Sequence, residues 1–146
     1  MRTLKAVMPT TSTTTSTPDL AWPFWAPTSA EEIERALDLA ELRPAEVLLD
    51  LGCGDGRVLQ AAARRGSRAI GYECDPVLAD RARALVASFP GVEVVTGDFF
   101  SLPIDADVVF AYLSPATLAR LRPRLEGLPR GSRVVHRAPA RRARGG

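Results

Sequence analysis

The stretch Asp50-Leu51-Gly52-Cys53-Gly54-Asp55-Gly56-Arg57 limits the fold more than any other part of the chain. It follows Val47-Leu48-Leu49, an apolar run of the size of a short buried strand. It precedes a segment at about 57–65 that reads as a helix and ends at Gly66. Three glycines within residues 52–56 allow a sharp turn, positive φ values and a close approach of ligand atoms to the backbone. A strand, a glycine loop and a helix in that order open a βαβ unit.

The same alternation continues downstream. Ala69 to Tyr72 reads as a second strand ending at Glu73. Asp75-Pro76 opens a helix, with Asp75 as N-cap and Pro76 at the first helical position. Leu78, Ala82, Leu85, Val86 and Phe89 are its expected apolar face, and Pro90-Gly91 stops it. Val92, Val94 and Val95 form a third strand, and residues 106–113 a fourth. Ser114-Pro115 opens a helix carrying Leu118, Leu121 and Leu125, which Pro123 is expected to kink or end. Ser132 to Val135 is a fifth strand. Upstream, Ser29-Ala30-Glu31-Glu32 is a capping box at the head of a helix over about 30–41, with an i,i+4 pair of Glu31 and Arg35. Strands separated by helices, without hairpin signals, predict an α/β fold: a Rossmann-like, mostly parallel sheet of about five strands with helices on both faces.

The ends differ from the middle. Residues 1–21 are a Thr/Ser-rich leader with little to bury, expected to be disordered. Residues 22–138 are the expected domain and 139–146 an Arg-rich tail. The net charge of +2 follows this division: residues 31–136 hold 13 Arg against 16 acids, while residues 137–146 hold four Arg and no acid. The folded part is therefore acidic. Two cysteines and the single His136 leave no Cys/His metal cluster and no disulfide framework, so no metal is expected and a cytoplasmic location is. No run of about 18 apolar residues exists that could span a membrane.

The acids around the loop narrow the ligand. Glu73 lies 21 residues after Gly52 at the end of the second strand, where a carboxylate can accept ribose hydroxyls. The glycine spacing is G-x-G-x-G rather than the dinucleotide G-x-G-x-x-G, and Asp50 and Asp55 would repel a pyrophosphate. S-adenosylmethionine carries a sulfonium and an ammonium and no phosphate, so an acid-lined loop suits it. Asp98, in Gly97-Asp98-Phe99, is a candidate acceptor for the adenine amino group, with Phe99 or Phe100 against the ring.

On these motifs the chain resembles the class I S-adenosylmethionine-dependent methyltransferases. More narrowly, it is similar to the small protein-lysine methyltransferases, which include archaeal broad-specificity enzymes and the mitochondrial ATP-synthase c-subunit enzyme. The resemblance covers about residues 22–136 and rests on Trp25-Ala26-Pro27-Thr28, residues 50–57, Gly71-Tyr72-Glu73, residues 97–99 and Tyr112-Leu113-Ser114-Pro115. It implies that Trp25, Pro27 and Thr28 close over the methionine end of the cofactor. It also implies that Tyr112, Leu113 and Pro115 line the channel of the methyl acceptor. The expected cofactor set is Pro27, Thr28, Asp50, Gly52, Cys53, Gly54, Asp55, Gly56, Glu73, Cys74, Asp98, Phe99 and Tyr112. Tyr112 and Trp25 are the expected acceptor-channel residues, with Phe24 and Phe100 as further aromatic candidates and no general base. The family usually continues into an antiparallel hairpin of strands six and seven, for which no pattern follows Ala138.

The expected activity is methyl transfer to a protein lysine. The alternatives are an RNA or small-molecule methyltransferase, and a cofactor-binding remnant without catalysis. The N/D-P-P-Y/F motif of base amino-group transfer is missing, which disfavours nucleic acid. The oligomeric state is left open.

Overall fold

Apolar runs in this chain are short and two-sided, and that dictates how the sheet must be covered. The structure, a computed structural model, describes residues 3–7 and 28–137. Its elements are β1 (Thr3–Val7), α1 (Ala30–Leu39), β2 (Val47–Leu51), α2 (Arg57–Arg64), β3 (Arg68–Glu73), α3 (Pro76–Leu85), β4 (Val92–Thr96), β5 (Val108–Ala111), α4 (Pro115–Glu126) and β6 (Arg133–Arg137). The six strands form one sheet in the order β1-β6-β5-β2-β3-β4, and every pair is parallel. Successive side chains on a strand point to opposite faces. Leu48, Val108, Phe110 and Val135 accordingly pack with α1, α2 and α3, while Leu49, Leu51, Val109, Ala111 and Val134 pack with α4. A parallel sheet buried on both faces needs such continuous apolar strands.

The helix starts follow their caps. Ser29 Oγ accepts the Glu32 amide at 3.2 Å, and Glu31 and Arg35 pair at 4.0 Å. The Asp75 carboxylate accepts the Val77 amide at 2.9 Å ahead of Pro76. Ser114 accepts the Thr117 amide at 3.2 Å ahead of Pro115.

Four expectations need correction. The sheet has six strands rather than five, because residues 3–7 of the expected disordered leader form β1, in register with β6 from Thr3–Arg133 to Val7–Arg137. Composition underestimates such a strand, since its pairing uses backbone groups that the edge of β6 offers whatever the side chains. Second, Pro123 does not end α4, which runs on to Glu126. The buried Leu121 and Leu125 on either side of Pro123 anchor both flanks to the sheet, which offsets the lost hydrogen bond. Third, α3 buries Ala79, Ala82 and, at its end, Val86, whereas Leu85 is exposed and Leu78 only half-buried. Small residues face inward there because α3 crosses close to the glycine loop: a Cβ on Gly56 would lie 2.9 Å from Ala82 Cα. Fourth, the fourth sequence strand is shorter than expected, so Tyr112 and Leu113 emerge beyond the end of β5. The other leader residues and the Arg-rich tail, 139–146, lie outside the described residues.

Among the described residues no helix is long and apolar enough to cross a membrane.

Candidate active site

β2 lies between β3 and β5, so the connections run to opposite sides of it. Such a reversal opens a crevice at the carboxyl ends of the strands, where open α/β sheets take their ligands. Four strand ends deliver side chains there: Asp50 from β2, Glu73 from β3, Asp98 just past β4 and Tyr112 just past β5. Two clefts meet at Gly52. One is lined by Thr28, Asp50, Cys53, Asp55, Arg57 and Tyr112, among others. The other is lined by Glu73, Cys74, Asp98, Phe99, Phe100 and Arg120, among others.

Backbone amides hold the glycine loop. Gly52 and Cys53 donate to the Tyr72 carbonyl at 2.8 and 2.9 Å. The Gly54 amide donates to Glu73 Oε1 and the Asp75 amide to Glu73 Oε2, both at 2.9 Å. Glu73 is thus buried yet gripped at each oxygen. An ionised carboxylate has about four acceptor positions, so two remain for hydroxyl donors. Gly52, Gly54 and Gly56 all have positive φ, which a side chain would strain.

Asp50 is the opposite case. It is buried, and among the described residues no donor reaches its carboxylate. Burial first, then the charges of Glu73 and Asp55, push its pKa up to about 8. A cation in the adjoining cleft would relieve that cost, which an anionic ligand would raise. The acid-lined crevice therefore fits a ligand with a sulfonium and an ammonium.

The rim of the second cleft is built by side chains reaching across the chain. Asp98 Oδ1 accepts the Phe100 amide at 2.9 Å. Arg124 donates to the carbonyls of Phe99 at 2.8 Å, Phe100 at 3.2 Å and Leu102. The rings of Phe99 and Phe100 lie 4.9 Å apart, and the Arg120 guanidinium sits 4.0 Å over Phe100. Phe100 therefore belongs to this cleft and not beside Tyr112, correcting its place among the channel aromatics.

At the first cleft, Arg57 Nη2 donates to the Thr28 carbonyl at 2.8 Å and its Nε lies 3.4 Å from Asp55. This ties the segment entering α1 to the glycine loop. Tyr112 stacks on Phe110 at 4.3 Å, and its hydroxyl is buried with no partner among the described residues. Burial, then the charge of Glu32, pushes the Tyr112 hydroxyl up to about 12. Arg137 Nη2 donates to Glu32 Oε2 at 3.0 Å, with the guanidinium 5.1 Å from the Tyr112 ring.

Other expected residues fall differently. Leu113 packs beside Gly52, but Pro115 lines an apolar groove between α4 and β6, as do His136 and Arg137. Cys53 is buried and its sulfur faces Gly71, while Cys74 is exposed on the second cleft. Burial pushes both thiols up. Phe24, Trp25 and Pro27 lie outside the described residues.

Residues 50–138 match the family model of the ANTKMT methyltransferase domain. The chain belongs to that family. It stands among the class I S-adenosylmethionine-dependent methyltransferases, as its motifs led us to expect. It is similar to a protein-lysine N-methyltransferase of Saccharolobus islandicus, 34% identical over 121 residues that cover 76% of this chain and 73% of that protein. It is 38% identical over 114 residues to the adenine nucleotide translocase lysine N-methyltransferase of Mus musculus, covering 73% of this chain and 49% of the relative. Among solved structures, an RNA methyltransferase from Salinibacter ruber in complex with S-adenosyl-L-homocysteine superposes with a TM-score of 0.73. It is 41% identical, and 76% of each chain is covered. The chain spans only about a quarter or less of the rRNA methyltransferases that it matches.

Reading the family from motifs overlooked the Glu32–Arg137 pair. Both residues carried a signal. Glu32 falls on the stripe of Ile33, Ala36 and Leu37, and Arg137 follows Val135 on the same face of its strand. The Arg124 clamp gave none, because its partners are backbone carbonyls distant in sequence.

Proposed function

We propose that the chain transfers the methyl group of S-adenosylmethionine to a lysine amine of a protein. The observation that carries this is the first cleft: Asp50, a buried carboxylate without a donor among the described residues, at one wall and the half-buried aromatic ring of Tyr112 at another. The lysine methyltransferases among its relatives support the choice of acceptor.

S-adenosylmethionine, when bound, supplies a methyl group activated by its sulfonium. Glu73 would hold the ribose hydroxyls and Asp98 the adenine amino group, with Phe99 beside the ring. Asp50, Asp55 and the loop glycines would hold the cationic methionine end, and Pro27 and Thr28 would cover it. The chain's task is then to place an amine in line and keep water away, and proximity alone supplies several kcal/mol. A lysine must be neutral to attack, although its ordinary pKa is about 10.4. The burial that raises Tyr112 marks this wall as poorly solvated, and such a wall favours the neutral amine. Trp25 would complete the channel.

The test is incubation of the full chain with methyl-labelled cofactor and a panel of lysine-rich proteins, RNA and metabolites. Label released as methyl-lysine is the expected result. The high similarity to an RNA methyltransferase gives the second reading its weight, and label in RNA alone would establish it in place of the first. Cofactor binding without label anywhere would point to a non-catalytic binding protein.

A further inference from the structure

Two arginines of β6 are in opposite condition. Arg133 donates to Glu46 Oε1 at 2.7 Å and Oε2 at 2.9 Å, to the Ala40 carbonyl at 2.9 Å and to the Glu41 carbonyl at 3.0 Å. Arg137 has one side-chain hydrogen bond among the described residues, to Glu32, and its Nε is buried without an acceptor. A buried donor left unmade costs free energy, so this guanidinium is held less well than its neighbour. Its side chain is still 32% exposed, which gives it a way out to solvent.

Glu32 is equally unusual. Its side chain is 10% exposed, on the apolar stripe of α1, where a carboxylate carries a desolvation cost unless a cation accompanies it. With the face of Tyr112 it encloses a cation on two sides, by charge and by ring quadrupole. That arrangement recognises a cationic side chain as a class, whichever one is present.

We propose that Glu32 and the Tyr112 ring form the capture site for the acceptor's ammonium group, which gives up its proton to solvent before the neutral amine moves on to the methyl group, and that Arg137 is an internal occupant displaced when a cationic side chain enters. The inference rests on the protein-amine reading of the reaction. One cation replaces another at Glu32, so no charge is left buried and uncompensated during the exchange. The arrangement selects a basic acceptor over neutral ones.

The experiment is steady-state kinetics of the full chain with the lysine-rich protein that takes up label as acceptor, for wild type, E32Q, R137Q, R137K and the double variant E32Q/R137Q. Cofactor affinity of each is measured by calorimetry. E32Q is expected to raise the acceptor KM about tenfold with a smaller change in kcat. R137Q is expected to lower the acceptor KM about threefold, as for one part-exposed competing ion pair. R137K should stay near wild type, and R137Q should bring no gain in the E32Q background. A purely structural pair would move the melting temperature and leave this KM pattern flat. An unchanged acceptor KM in E32Q, or a raised one in R137Q, overturns the inference while the reaction stands. If E32Q fails to fold, R137Q decides alone. If the wild type binds cofactor and labels no protein, the reaction reading has failed and the inference with it.

Discussion

The two ends of the sheet obey different rules. At the amino end, Arg133 makes a bidentate pair with Glu46, which also accepts the Arg43 amide at 2.8 Å. Both charges of that pair are satisfied. At the carboxyl end, among the described residues, Asp50 has no donor and the Tyr112 hydroxyl and Arg137 Nε are buried without partners. Buried polar groups are nearly always satisfied, so exceptions gathered at one edge of a fold mark where a ligand is to complete it. One end of the sheet carries the paired charges and the other the groups without partners.

The comparison breaks most readily at the amino end. Arg133→Ala should lower stability by about 3 kcal/mol, the size expected when one partner of a largely buried pair is lost. Urea unfolding measures this, and cofactor affinity should not follow. A matching loss of affinity would show that the two ends are not separable.

At the other end, Glu73→Ala should weaken cofactor binding by about 1–3 kcal/mol, as for a charged hydrogen-bond partner. Calorimetry reads this directly, and an unchanged affinity would count against the ribose assignment. The effect combines lost ligand contacts with a loosened loop, since Gly54 and Asp75 both donate to this carboxylate.

A pH series sharpens the contrast further. Free Asp50 holds its proton up to about pH 8 rather than losing it near 3.8. A bound cation favours the ionised form, so binding expels the proton. Cofactor affinity should therefore rise with pH, by up to about tenfold per unit, and level off above the Asp50 value. Asp50→Asn should flatten the profile. An affinity that falls as pH rises would contradict this electrostatic account.

The smallest effect belongs to Glu46. Its hydrogen bond to Arg133 holds the carboxyl below its ordinary value of 4.5. A depressed carboxyl adds stability above that value and loses it as pH falls through the folded pKa. Wild type should thus lose more stability on acidification than Arg133→Ala, as pH-dependent urea midpoints would reveal.

Much of the fold was legible because apolar runs, caps and glycine turns are local. Leu48-Leu49, Ser29, Asp75 and Ser114 behave in the structure as their immediate neighbours require. The acids around the crevice were legible for the same reason, since Asp50, Asp55 and Glu73 stand beside strand ends and glycines. What escaped was long-range. Nothing beside Pro123 announces that the sheet will hold the helix together past it. The inward face of α3 is chosen by the approach of Gly56 to Ala82, and so favours alanines over the larger Leu78 and Leu85. Glu32 and Arg137 look like a cap and a tail until two elements from opposite ends of the chain are brought together.

The pairing of β1 with β6 carries a consequence for biogenesis. Residues 3–7 leave the ribosome well before their partner, residues 133–137. At roughly 5–20 residues per second, β1 waits for several seconds, and its pairing then needs closure across all the elements between the two strands. Until β1 arrives, a newly made β6 offers an open parallel edge to any neighbouring chain. The hazard in producing this protein thus lies in the interval between making β6 and covering its edge.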